Sequence, residues 1–63
     1  MIRSYLLKYE GCSVKIDYET EIDEQIRTGT LYSVGQEVII FWPFELESEV
    51  LIRFEDIKSI DLI

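Results

Sequence analysis

At 63 residues the chain has room for one domain and no second, and a domain of this size buries only about 60% of the surface its unfolded form exposes. A hydrophobic fraction of 48% with 13% aromatic residues separates it from a disordered acidic tail, while 13 Asp and Glu against six Lys and Arg, with no histidine, give a net charge of −7. That balance weighs against direct binding to DNA, RNA or anionic lipid, whose phosphates require Lys and Arg. It leaves solubility or the recognition of a basic protein surface as its purpose.

Cys12 is the single cysteine, so neither an intramolecular disulfide nor a Cys-rich zinc site can form. The start of the chain, Met1-Ile2-Arg3 followed by the mixed run Ser4-Tyr5-Leu6-Leu7-Lys8, does not read as a secretory signal. The longest apolar run, 38–44, is seven residues even with Pro43 counted, far short of the roughly 20 that span a bilayer. The expectation is a soluble, cytoplasmic protein that does not enter a membrane.

Residues 1–9 are rich in Ile, Leu and Tyr and read as a strand, although Ile2, Leu6 and Tyr9 also fit a helical period of 3.6. Glu10-Gly11 offers a turn. The cleanest alternation follows at 12–18, with Cys12, Val14, Ile16 and Tyr18 on one face and Ser13, Lys15 and Asp17 on the other, the pattern of a half-buried antiparallel strand. The stretch 19–24 sets the carboxylates of Glu19, Glu21, Asp23 and Glu24 around Ile22 and reads as a loop. A third strand covers 25–33, with Gly29 marking a bulge or sharp bend, and 34–36 closes a hairpin. Both faces of 37–42 are apolar, Val38, Ile40 and Trp42 on one and Ile39 and Phe41 on the other. Such a strand is either central or meets a partner.

Pro43 ends that strand, since it has no N–H for a ladder, and an acidic loop carrying Phe44 and Leu46 follows. The end of the chain reads as a strand at 50–54, one 3₁₀ turn at 55–57 and a closing strand at 58–63. Five or six short strands in this length predict an all-β fold: one small, strongly bent antiparallel barrel of the SH3-like or Sm-like kind.

The run "TGTLYSV" at 28–34 and "LIRFEDIKSIDLI" at 51–63 together resemble the YolD-like family of small bacterial and phage proteins. The resemblance covers roughly 14–63 and implies an Sm-like barrel associated with UV-damage repair and error-prone polymerases. The acidic character and the same terminal run are also similar to the Rof family of Sm-like proteins that bind and inhibit the transcription terminator Rho. Both families place a helical segment at the N-terminus, a departure if 1–9 is a strand.

Residues that carry chemistry are few. Without histidine no nucleophile–base pair of the triad type can be assembled, and Cys12 reads as a small strand residue. The carboxylates at 19–24 lack the Asp-x-Asp-x-Asp-Gly order of a calcium loop, and no glycine-rich phosphate cradle exists. The expectation is a protein that is not an enzyme and takes neither cofactor nor metal.

The candidate binding site is Trp42-Pro43-Phe44 with Glu45, Glu47 and Glu49. Trp42 and Phe44 either cap the core or stand exposed as anchors. Exposed aromatics rimmed by carboxylates suit a protein partner whose apolar pockets are ringed by Lys or Arg. The function this predicts is an acidic protein-binding module, a regulator or inhibitor of a nucleic-acid-processing protein. The alternatives are an Sm-like nucleic-acid module using Tyr5, Tyr9, Tyr18 and Tyr32 as stacking platforms, and a homo-oligomer that buries 38–42 by edge-strand pairing.

Overall fold

The computed structural model describes residues 2–63. Its elements in chain order are a helix α1 (Ile2–Leu7), strands β1 (Ser13–Glu19), β2 (Glu24–Val34), β3 (Val38–Pro43) and β4 (Val50–Arg53), a 3₁₀ turn η1 (Phe54–Asp56), and strand β5 (Ile57–Leu62). The strand expected over 1–9 is therefore corrected to a helix, with Met1 outside the described residues, and the strands number five. The helical period won over β-propensity because one residue decides the matter. Leu6 plugs the core at 1% exposure, while Tyr5 and Leu7 on either side of it stay at the surface. The helix runs on into a turn through Tyr9 N–H to Leu6 C=O and Glu10 N–H to Leu7 C=O. Gly11 then reverses the chain at φ 84°, in the left-handed region that favours glycine, and its N–H reaches the Leu31 carbonyl at 2.7 Å.

All four ladders are antiparallel, and the sheet order is β4-β3-β2-β1-β5. Consecutive strands β1 to β4 form a meander, and β5 returns to lie beside β1. Among the described residues no ladder joins β4 to β5, so the sheet is open along its two edges. It is nonetheless curled. Laid flat, the edges of a five-stranded sheet stand four strand spacings apart, about 19 Å. Arg53 and Ile57 are four peptide units apart, at most about 15 Å even when extended, and η1 shortens that reach further.

The core lies on the concave side and consists of Leu6, Val14, Ile16, Tyr18, Leu31, Val34, Ile39, Phe41, Ile52 and Ile60. Tyr18 meets Phe41 edge to face, with ring centroids 6.5 Å apart. The alternation read at 12–18 is the one observed, since Val14, Ile16 and Tyr18 are buried and Ser13 and Lys15 exposed, with Asp17 on the same outer face but half-buried.

Of the bulge or sharp bend expected at Gly29, the bulge lies elsewhere. The register shift in the β2–β3 ladder falls at Tyr32, between the pairs Leu31–Phe41 and Ser33–Ile40. Gly29 serves a different purpose opposite Pro43, where a Cβ would stand 2.2 Å from the Trp42 carbonyl oxygen and 2.6 Å from the Pro43 Cα. The glycine is there because two backbones approach too closely for any side chain.

Candidate protein-binding site

Strand β3 divides its side chains between two environments. Ile39 and Phe41 are wholly buried, while Val38, Ile40 and Trp42 lie on the convex face, with Trp42 40% exposed. After Pro43 the chain enters the loop 44–49, which is braced at four points. Phe44 N–H donates to the Thr28 carbonyl at 3.0 Å, and Leu46 N–H donates to the Pro43 carbonyl at 3.1 Å. The Trp42 indole Nε1–H donates to the Leu46 carbonyl at 3.2 Å, and the Arg27 guanidinium holds the Glu45 carboxylate at 3.0 Å.

The structure thus brings the five expected site residues together at one end of the sheet, but in unequal roles. Trp42 and Phe44 are exposed, the second at 59%, so neither caps the core. Glu45 is tied to Arg27, whose own side chain is three-quarters covered, and so belongs to the bracing. Glu47 and Glu49 face solvent, and no ion pair among the described residues engages them.

The sequence reading missed the continuation of this surface. In the β3–β4 ladder Leu51 stands directly opposite Ile40 and Arg53 opposite Val38, so all four point to the convex face. Leu51 is 65% exposed, and Tyr32, at the bulge beside Ile40, is equally so. The signal was the doubly apolar alternation of 38–42. What was lacking was the register that puts Leu51 and Tyr32 beside it.

Other expected groupings are not made. Tyr18 is buried in the core, Tyr5 and Tyr9 pair edge to face beside α1 with centroids 5.6 Å apart, and Tyr32 lies on the sheet's convex face. The cations do not gather either. Arg27 is held by Glu45, Arg53 by Glu55 and Asp56, and Lys58 by Glu19. Arg3 donates to the Gly35 carbonyl, and Lys8 sits over the Tyr5 and Tyr9 rings. Nor does β3 offer an edge, since it is hydrogen-bonded to β2 on one side and β4 on the other; the expected oligomer through edge pairing of 38–42 is excluded by that position.

Hollows open at two places on the described residues, at opposite edges of the sheet. One of about 240 Å³ lies among Glu37, Arg53, Phe54 and Glu55. The other, about 340 Å³, runs between α1 and β5 past Ile2, Tyr5, Leu6, Ile57 and Ile60. Among the described residues no group of three His, Cys, Asp or Glu is placed to hold a metal ion, and no helix is long and apolar enough to cross a membrane. Fold and site together define a small acidic antiparallel β-sheet protein with an exposed aromatic corner. Comparison with protein-family models, with curated proteins and with solved structures found no match.

Proposed function

We propose that this chain is a non-enzymatic, acidic protein-binding module that regulates or inhibits a nucleic-acid-processing protein by covering part of its basic surface. The observation that carries the reading is a braced loop presenting Trp42 and Phe44 beside Glu47 and Glu49 on a chain of net charge −7. Exposed aromatics held in place lose little entropy on binding, and carboxylates around them steer a basic partner. Proteins that handle nucleic acid carry such basic surfaces to meet phosphates. The finer architecture we infer is an Sm-like or SH3-like small barrel, a reading supported by the curl that η1 imposes on the open sheet. The short helix α1 supports the YolD-like and Rof-like resemblances, which imply a helical segment at the N-terminus.

The test is an affinity capture from bacterial lysate with and without nuclease, followed by binding measurements on what is retained. A stoichiometric protein retained after nuclease treatment is expected. The Glu45→Gln/Glu47→Gln/Glu49→Gln variant should bind it roughly tenfold more weakly at low salt, with the difference shrinking as salt rises. Unchanged affinity overturns the reading. Retention that vanishes with nuclease supports the nucleic-acid module instead, and an empty column beside a multimeric mass supports self-assembly.

A further inference from the structure

The convex face of β3 and β4 carries an apolar stripe that is half-buried at Val38 and Ile40 and exposed at Tyr32, Trp42 and Leu51. Val38, Ile40 and Trp42 run along β3, Leu51 stands across from Ile40, and Tyr32 bulges out on the other side. Tyr32 and Leu51 are each 65% exposed, so their side chains are held at the surface of a rigid ladder without being covered. From Val38 to Trp42 the stripe spans four strand rises, about 13 Å.

Both ends of the stripe are acidic. Beyond Trp42 lie Glu47 and Glu49, and beyond Val38 Arg53 is already held by Glu55 and Asp56, each at 3.4 Å, with Glu37 close by and Arg3 bound to the Gly35 carbonyl. A negatively charged partner, including a second copy of this chain, meets repulsion at both ends. A positively charged one is drawn to both.

The backbone restricts the occupant further. Strand β3 is paired on both sides, so its N–H and C=O groups are taken and an extended peptide can add only at the outer edge of β4, beside the stripe and not on it. Whatever lies on this face must satisfy its own backbone and present only side chains, and an α-helix does that. Apolar side chains at i, i+4 and i+7 of a helix span about 10 Å, which matches the stripe.

We propose that the docking surface extends from the acidic loop across the convex face of β3 and β4 and takes a basic amphipathic α-helix of the partner protein, apolar side inward, with Lys or Arg at each end. The inference rests on the protein-binding reading above and specifies its partner.

The probe is a synthetic helical peptide of Leu and Lys with its leucines at i, i+3, i+4 and i+7, set against one of identical composition with the leucines scattered. Trp42, the single tryptophan, reports by its fluorescence, and backbone amide NMR maps the contact. The helical peptide should shift Trp42 emission to the blue, move the amides of Tyr32, Ile40 and Leu51, and bind at least tenfold more tightly than the scattered one. Leu51→Asn, at an exposed position that the fold tolerates, should weaken it about tenfold. Tyr32→Ser should do so more modestly. If both variants bind as the parent does, or both peptides bind equally, the stripe is overturned. A loss on Glu47→Gln/Glu49→Gln would then still leave the loop as a binding site. If instead Leu51→Asn weakens binding while Glu47→Gln/Glu49→Gln does not, the basic partner and the acidic-loop reading fall together.

Discussion

Phe41 and Trp42 are chain neighbours with opposite fates, the first without exposed surface and the second 40% exposed, because successive strand residues point to opposite faces. Removing each should therefore do different things. Phe41→Ala takes a ring from the centre of the core, where it meets Tyr18, at a cost of about 3–5 kcal/mol. A chain this small has about that much stability in total, so the variant should be largely unfolded at 25 °C by circular dichroism. Trp42→Ala loses the hydrogen bond to Leu46 and some packing, about 1–2 kcal/mol, and should keep the fold while loosening the loop, visible as faster amide exchange at 44–49. Gly29→Ala drives a methyl into the Trp42–Pro43 backbone and should destabilise by about 1–3 kcal/mol in urea unfolding, although the position is neither turn nor bulge.

The β1–β2 hairpin carries the molecule's two opposed carboxyl groups. Hydrogen bonds from Thr20 and then Gln25 hold Asp23 below its ordinary value, in a turn also fastened by Asp23 N–H to Thr20 Oγ1 at 3.0 Å. Glu24, one residue on, is pushed above its ordinary value, first by hydrogen bonding with Asp17 and then by that group's charge. Asp17 has one buried carboxylate oxygen without a hydrogen-bond partner, and Glu19 stands directly across the ladder from Glu24. The signs follow from linkage. The Asp23 contribution is present above the ordinary carboxylate value and fades as pH falls through its lowered one. The Glu24 contribution is complete below the ordinary value of 4.5 and is lost as pH rises through the raised one. Urea midpoints of Glu24→Gln should therefore exceed the parent's at pH 7 and lose the parent's decline between pH 4.5 and 7, whereas Asp23→Asn should be less stable than the parent at pH 7.

Much at this scale was legible in the sequence. Alternation at 12–18 located β1 and its buried face, and Pro43 closed β3. The apolar-polar switch at 50–63 gave strand, 3₁₀ turn and strand within a residue or two of where they lie. The N-terminus was not, because 2–9 satisfies the helical and the strand period alike and only the depth of Leu6 separates them. The stripe was half legible. Val38, Ile40 and Trp42 announce an apolar face by themselves, but Leu51 and Tyr32 join it only through a register and a bulge that no local pattern encodes.

For the molecule as a whole, the −7 charge is compressed into extents of 26 × 21 × 18 Å. The four ion pairs among the described residues are exposed or partly so, worth about 0–1 kcal/mol each, and they leave most carboxylates repelling one another. Screening should thus stabilise the fold on balance. Raising NaCl from about 20 to 200 mM shortens the Debye length from roughly 20 Å to below 10 Å, less than the molecule's width, and should raise the thermal midpoint. A gain of about 1 kcal/mol would appear as roughly 4–8 °C by calorimetry. A fall in the midpoint would mean that the ion pairs outweigh the repulsion.

The return of β5 to β1 sets an order of events in time. Strands β1 to β4 pair with their immediate chain neighbours, so a growing chain can zip them one hairpin after another. Ile60, by contrast, belongs beside Ile16, 44 positions earlier. Until residues 57–62 are made, β1 waits with one edge open and the core lacks a wall. A nascent chain halted before Ile57 is therefore a sticky intermediate, and the arrival of 57–62 closes its core.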